Sequence, residues 1–193
     1  MRPVAARPAG RPRNPELDRA ILVAAEQQLR EAGYAGMSLE SVAAAAGTTV
    51  PAVRRRFRSK ASVAVAVIDS LRVKSMPAES GPPRSRALAI LRNFRANLLR
   101  RNSMAVVGTL LAEEHRHPEL LAAFRHRLVE PRRAALRQAL AEGISSGELP
   151  DSAADPDVLA SMLIGSFYAR YIATSDLPDD WAERTLRHVW PER

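Results

Sequence analysis

Apolar residues along this chain recur at spacings of three and four, and no alternating Val, Ile or Thr run flanked by turn residues interrupts them. The pattern predicts an all-α fold of about nine helices. A first helix from about 15 to 32 carries Leu17, Ala20, Ile21, Ala24, Ala25 and Leu29 on one stripe and ends at Gly33. Short helices follow at about 39 to 46, capped by Ser38 and stopped by Gly47, and at about 50 to 56, capped by Thr49. A fourth, at about 60 to 75, presents Val63, Val65, Val67, Ile68 and Leu71. It runs into Met76-Pro77-Ala78-Glu79-Ser80-Gly81-Pro82-Pro83, which reads as a linker.

Beyond the linker the pattern predicts helices at about 84 to 101, 103 to 115, 118 to 146, 156 to 174 and 179 to 190. Asn14-Pro15-Glu16, His117-Pro118-Glu119 and Asp155-Pro156-Asp157 mark three helix starts, each placing proline where a first-turn amide has no partner anyway. Pro131, inside the 118–146 stretch, should bend or restart it, since an interior proline costs about 3 kcal/mol or more. The resulting organisation is a basic arm at 1–14, a helical head at 15–60 and a larger helical body at 61–193, with the helix at about 60–76 connecting them and the linker at 77–83.

Charge sharpens that division. The 193 residues hold 29 Lys and Arg against 21 Asp and Glu, a formal net charge of +8. Residues 1–60 hold eleven of the basic residues and five of the acidic ones, so six of the eight excess charges sit there. A basic head on a nearly neutral body is the layout of a nucleic-acid-binding module joined to a part with another task. A composition of 46% hydrophobic and 26% charged residues excludes a disordered or collagen-like chain. The absence of cysteine excludes disulfides, thiolate metal sites and cysteine nucleophiles. The Arg-rich start is not followed by a signal-peptide core, and the most apolar stretch, Val158–Ile172, is broken by Ser161, Ser166 and Arg170. A cytoplasmic protein without a membrane partner is the expectation.

Two short helices joined by Ala46-Gly47-Thr48-Thr49, with a longer helix before and a basic run after, form a helix-turn-helix pattern. Gly47 supplies the sharp turn, and the alanines at 43–46 let the helices cross closely. The second helix can then enter a DNA major groove, about 12 Å wide. The string Gly33-Tyr34-Ala35-Gly36-Met37-Ser38-Leu39-Glu40-Ser41-Val42-Ala43, then Ala46-Gly47-Thr48-Thr49, then Phe57-Arg58-Ser59-Lys60, resembles the DNA-binding head of the TetR (tetracycline-repressor-like) transcriptional regulators over about 15–65. Pro118-Glu119-Leu120, Pro131-Arg132-Arg133 and Gly147-Glu148-Leu149 are similar to one subgroup's helical body.

The resemblance implies that Thr49, Val50, Pro51, Ala52, Arg54 and Arg55 face DNA from the recognition helix, with Val53 and Phe57 turned to the head's core. Thr49 can cap the helix and reach phosphate; Val50, Pro51 and Ala52 suit thymine methyls; Arg55, and in competition Arg54, suits guanine. The family usually has tyrosine where Arg54 stands and often glycine where Pro51 stands, so Arg54 divides between phosphate and base. Arg54, Arg55 and Arg56 fan over roughly 200° of helix, so they cannot all point at DNA. Lys60, Ser38 and Tyr34 are the further backbone-gripping positions that the resemblance implies.

The family's body implies two tasks. A homodimer places two recognition helices about 34–36 Å apart on a pseudo-palindromic operator. The last two long helices are the candidates for its interface, with Leu159, Leu163, Phe167 and Tyr171 at helical spacing and Gly165 and Ser166 allowing close approach. A small apolar or amphipathic effector, bound in the body, would shift the heads and release DNA. Its candidate lining is Phe94, Leu98, Met104, Val107, Leu110, Leu111, Phe124 and Phe167, where scarce aromatic and Met residues gather on the middle helices. The alternative is a dimeric DNA-binding protein without a sensor. No phosphate loop, nucleophile elbow or zinc-protease motif points to an enzyme, and nothing calls for a cofactor. Glu113 and His117 stand four apart, but Pro118 ends that helix and no second histidine pair completes a metal site.

Overall fold

A computed structural model describes residues 14–72, 81–100, 103–149, 155–174 and 176–191, which form helices and connecting turns with no strand among them. The basic arm and most of the linker expected at 77–83 lie outside the described residues. The elements are α1 (Pro15–Glu31), α2 (Gly33–Gly36), α3 (Leu39–Ala45), α4 (Val50–Arg54), α5 (Lys60–Arg72), α6 (Pro83–Leu99), α7 (Ser103–Ala112), α8 (Pro118–Phe124), α9 (Glu130–Ser145), α10 (Pro156–Thr174) and α11 (Trp181–Val189). A π-helical turn, Arg125–Val129, joins α8 to α9.

The capping chemistry works as the sequence suggests. The Asn14 side chain accepts from the amides of Glu16 and Leu17 at 2.9 and 3.4 Å, and Ser38 exchanges hydrogen bonds with Ser41 at the start of α3. Gly33 and Gly47 take φ of +69° and +63°, a region costly for residues with a Cβ, and there the chain turns out of α1 and α3. Two elements differ from the periodicity reading. A short helical turn, α2, follows α1, because the stop at Gly33 redirects the chain without extending it. The stretch at 118–146 is neither straight nor simply broken: the π turn ends at Val129, two residues before Pro131, widening the backbone where the proline ring would meet the carbonyl of Arg127.

Two apolar clusters hold the molecule. One unites α1, α3 and α5 with α7 and α8 through Ile21, Leu29, Val42, Val63, Ile68, Leu110 and Leu120. The other joins α6, α9, α10 and α11 around Phe94, Leu136, Leu163, Phe167, Trp181 and Trp190. The head therefore shares its core with part of the body, so a shift of α7 or α8 is felt at α1 and α5. In the second cluster Phe167 meets Phe94 and Trp181 edge to face at 5.1 and 5.4 Å, arrangements that add about 0.5–1.5 kcal/mol each beyond burial.

Gly143 on α9 is the tightest point of that cluster: a Cβ there would overlap the ring of Trp190, which is almost fully buried. Gly143→Ala is expected to cost about 1–3 kcal/mol through overpacking, despite alanine's better helix propensity. A chemical denaturation curve measures this, and an unchanged midpoint would show that the ring has room to move.

Candidate nucleic-acid interface and ligand cavity

The head presents α4 on its surface because its two neighbours along the chain fix it from opposite sides. Thr49 caps α4, its side chain accepting from the Ala52 amide at 3.4 Å. At the other end the Phe57 amide returns to the Val53 carbonyl at 2.9 Å, and α4 closes at Arg54, short of the expected residue 56. Val53 is fully buried and Phe57 half-buried against the head's core, as the pattern predicts. Thr49, Pro51, Arg54, Arg55 and Arg58 are exposed. The side chains of Arg54, Arg55 and Arg58 form no hydrogen bond or ion pair among the described residues, so three unneutralised cations stand beside the exposed face of α4. Arg56 differs from them: its Nε pairs with Asp18 on α1 and its Nη1 donates to the Ala52 carbonyl at 3.2 Å. One arginine of the triplet anchors the helix while the other two face outward.

Several positions expected at DNA face elsewhere. Ala52 is buried at 6% exposed, and Val50 is half-buried against the head's core. Tyr34 is 3% exposed, its ring under the Lys60 ammonium at 4.2 Å and edge-on to His117 at 4.7 Å. Burial, with Glu119 and Glu113 nearby, holds its phenol above the ordinary tyrosine value. Lys60 donates to the Tyr34 carbonyl at 2.7 Å, closing the end of α2, and the Ser38 hydroxyl caps α3. Tyr34 and Ala52 are thus core residues, while Lys60 and Ser38 are tied to the backbone that supports α4. His117 likewise packs against Tyr34, with Glu119 3.4 Å from its Nδ1.

A cavity of about 550 Å³ opens where α1, α5, α6, α7, α8, α9, α10 and the π turn converge, a size suited to a drug-sized molecule. Phe94, Leu98, Val107 and Phe124 line it, as expected. Four other expected residues do not. Phe167 and Met104 pack in or against the α6/α9/α10/α11 cluster, Leu110 is in the head's cluster, and Leu111 is exposed on the outer side of α7. Scarce aromatic residues mark core as readily as pocket, and the sequence pattern does not separate the two.

Sequence reasoning missed the polar lining. Glu26 and Arg30 of α1 line the cavity as an ion pair, and Leu71 brings the far end of α5 to its wall. The recognition helix precedes the near end of that same α5 in the chain, and that end lies about 17 Å from Leu71 at 1.5 Å per residue. Arg132 of α9 and Tyr168 of α10 complete the wall. Arg132 is 8% exposed, with its guanidinium carbon 5.4 Å from the Phe94 ring centre. Burial draws its affinity for the proton below the ordinary arginine value, and burial raises that of the Tyr168 phenol against the opposing effect of Arg132. A signal was available: Arg132 is in register with Leu136, Ala139 and Gly143, all buried on one face of α9.

The helix expected at the dimer interface turns a different face outward. Leu159, Leu163 and Phe167 are buried inside the chain, and Tyr171 packs against the same cluster. Gly165 lies instead on the exposed face, with Ser166 at its margin. That face is apolar: Val158, Met162, Gly165, Ala169 and Ile172 follow one another at spacings of four and three, with Met162 59% and Ile172 80% exposed. Among the described residues no helix is long and apolar enough to cross a membrane, and no cluster of three His, Asp or Glu gathers as metal ligands do.

Two family models match the chain: "Bacterial regulatory proteins, tetR family" over residues 21–67 and "Tetracyclin repressor-like, C-terminal domain" over residues 77–189. An HTH-type transcriptional regulator of Mycobacterium bovis is 28% identical over 168 residues, covering 82% of this chain and 77% of its own. The fold is similar to that of a TetR-family regulator from Mesorhizobium loti, at 20% identity and a TM-score of 0.68, covering 93% and 97% of the two chains. It is also similar to FadR of Bacillus subtilis, solved with stearoyl-CoA, at 17% identity and a TM-score of 0.72, covering 91% and 99%.

Proposed function

This chain belongs to the TetR family of bacterial transcriptional regulators, and on that premise we propose that it is a repressor that binds a pseudo-palindromic operator as a homodimer and releases it when a small molecule fills the cavity. The observation that carries the reading is the place of α5, which follows the recognition helix in the chain and whose far end, at Leu71, lines the cavity. An occupant that pushes on Glu26 and Arg30 acts on α1, which holds the end of α4 through the Asp18–Arg56 ion pair, and one that pushes on Leu71 acts on α5, which follows α4 in the chain. Because packed helices move as units, a small displacement there changes the separation of two paired heads. The ion pair between Arg127 of the π turn and Asp69 of α5 gives the body a second hold on the same lever.

In this reading Arg55 and Arg54 meet base edges, Arg58 and Thr49 meet phosphate, and Pro51 touches a thymine methyl. Lys60 supports α2 and reaches phosphate only on leaving the Tyr34 carbonyl. The exposed stripe of α10 forms the dimer seam, since its alternating spacing is that of helices packed lengthwise. The stearoyl-CoA held by FadR supports a ligand-binding role for a body of this shape. No enzymatic activity is part of the reading, and the protein acts where its DNA is, in the cytoplasm.

Sequencing the genomic fragments that the purified protein retains tests the DNA half of the reading. The expected result is a shared two-fold symmetric motif with half-sites centred about one helical turn, or a small multiple, apart. Fragments enriched no more than random DNA would contradict it.

A further inference from the structure

The cavity is apolar along most of its wall, through Phe94, Leu98, Val107 and Phe124, yet Arg132 is buried in that wall without a counter-charge. Its Nε is sealed from solvent with no acceptor, and no hydrogen bond or ion pair among the described residues involves its guanidinium. Arginine does not shed its charge by deprotonation at ordinary pH, so a cation only 8% exposed stands in the cavity wall with the Phe94 ring against it and no anion paired to it. An uncompensated buried charge lowers stability, a cost that functional sites carry.

The other charges at the cavity are already engaged or lie at its edge. Arg30 is paired with Glu26; Arg133 pairs with Asp157 of α10 at 2.8 Å; Arg100 is exposed. The hydrogen bond from Arg133 comes first among the causes that hold the Asp157 carboxyl below its ordinary range. Tyr168 also lines the cavity, and its hydroxyl has no hydrogen-bond partner among the described residues. The wall therefore offers one uncommitted buried cation, one uncommitted hydroxyl and an apolar sleeve.

Building on the ligand-responsive reading above, we infer that the effector is an amphipathic monoanion, an apolar body carrying one carboxylate, with Arg132 taking the carboxylate and Tyr168 donating beside it. A planar guanidinium meets a carboxylate through two parallel hydrogen bonds, and the surrounding low polarity strengthens them. A neutral amphipath of the same length fills the sleeve but leaves the cation unpaired. The stabilisation of Arg132 on binding is what a neutral ligand forgoes.

The experiment is a calorimetric titration of the full chain with decanoate and with decan-1-ol, below the concentration at which either self-associates. Decanoate is expected to bind at least tenfold more tightly. In Arg132→Met that preference falls to within twofold while decan-1-ol still binds; Arg132→Lys keeps a preference for the acid. Unliganded Arg132→Met is expected to melt no lower than the parent, because an unpaired buried charge has been replaced by an apolar group of similar length. Decan-1-ol binding the parent as tightly as decanoate, or Arg132→Met keeping the preference, overturns the inference and leaves the ligand-cavity reading standing. A melting temperature several degrees lower in Arg132→Met overturns it too, since that assigns the guanidinium a structural partner. Failure of both compounds to bind overturns it as well.

Discussion

Replacing Met162 and Ile172 together with aspartate is expected to leave a folded chain that is monomeric and holds its operator at least a hundredfold more weakly. Both side chains project from α10 into solvent, so neither change empties a core position. Each instead puts a charge into the seam proposed between protomers, where a buried, unpaired carboxylate is costly. Splitting the dimer also removes the avidity of two linked heads, which alone contributes factors of 10² or more. Light scattering after gel filtration gives the mass and fluorescence anisotropy gives the affinity. A double variant that remains dimeric would move the interface away from this stripe.

The second large effect concerns Arg55. Arg55→Ala is expected to weaken operator binding by about 1–3 kcal/mol and to relax preference at one base pair of each half-site, so that two linked heads roughly double the total loss. Arg56→Ala supplies the contrast. Arg56 is turned back onto Asp18 and the Ala52 carbonyl, so its loss loosens the seat of α4 and lowers stability without selecting against one base. Binding measured on a set of operators mutated one base pair at a time separates the two effects. Equal affinity and equal preference for Arg55→Ala and the parent would remove Arg55 as a reader.

The contrast between Arg55 and Arg56 also marks where sequence reasoning reaches its limit. The spacing of the triplet shows that its members diverge; it does not show that Asp18, 38 residues earlier, stands where one of them ends. Caps and turns were legible because they are local: Asn14, Ser38, Gly47 and Thr49 act on backbone within a few residues. Burial on a given helical face was legible too, for α1 and α5 above all. What covers that face was not. Leu159, Leu163 and Phe167 follow the same rule as a dimer seam and turn out to serve the chain's own core, whereas the outward stripe of Met162 and Ile172 reads in the sequence as just more apolar residues.

The cavity illustrates the same limit with a useful exception. Its apolar lining was half legible, because Phe94, Leu98, Val107 and Phe124 sit on inward faces that a core would also use. The part contributed by α1 and α5 depends on how head and body dock, which no local pattern records. Arg132 was the readable anomaly: a charged residue in register with buried alanine, leucine and glycine on α9 departs from the pattern around it. Functional sites are where consistency between pattern and environment is expected to break.

The central claim is that the cavity and the recognition helices are coupled through α5, and equilibrium linkage tests it most directly. The affinity for the recovered operator is to be measured with and without decanoate at concentrations that calorimetry shows to fill the cavity. Operator affinity should fall at least tenfold, and decanoate affinity should fall by the same factor when operator is saturating, because coupling between two binding sites is reciprocal. Operator affinity unchanged within twofold while the cavity is full would contradict the account.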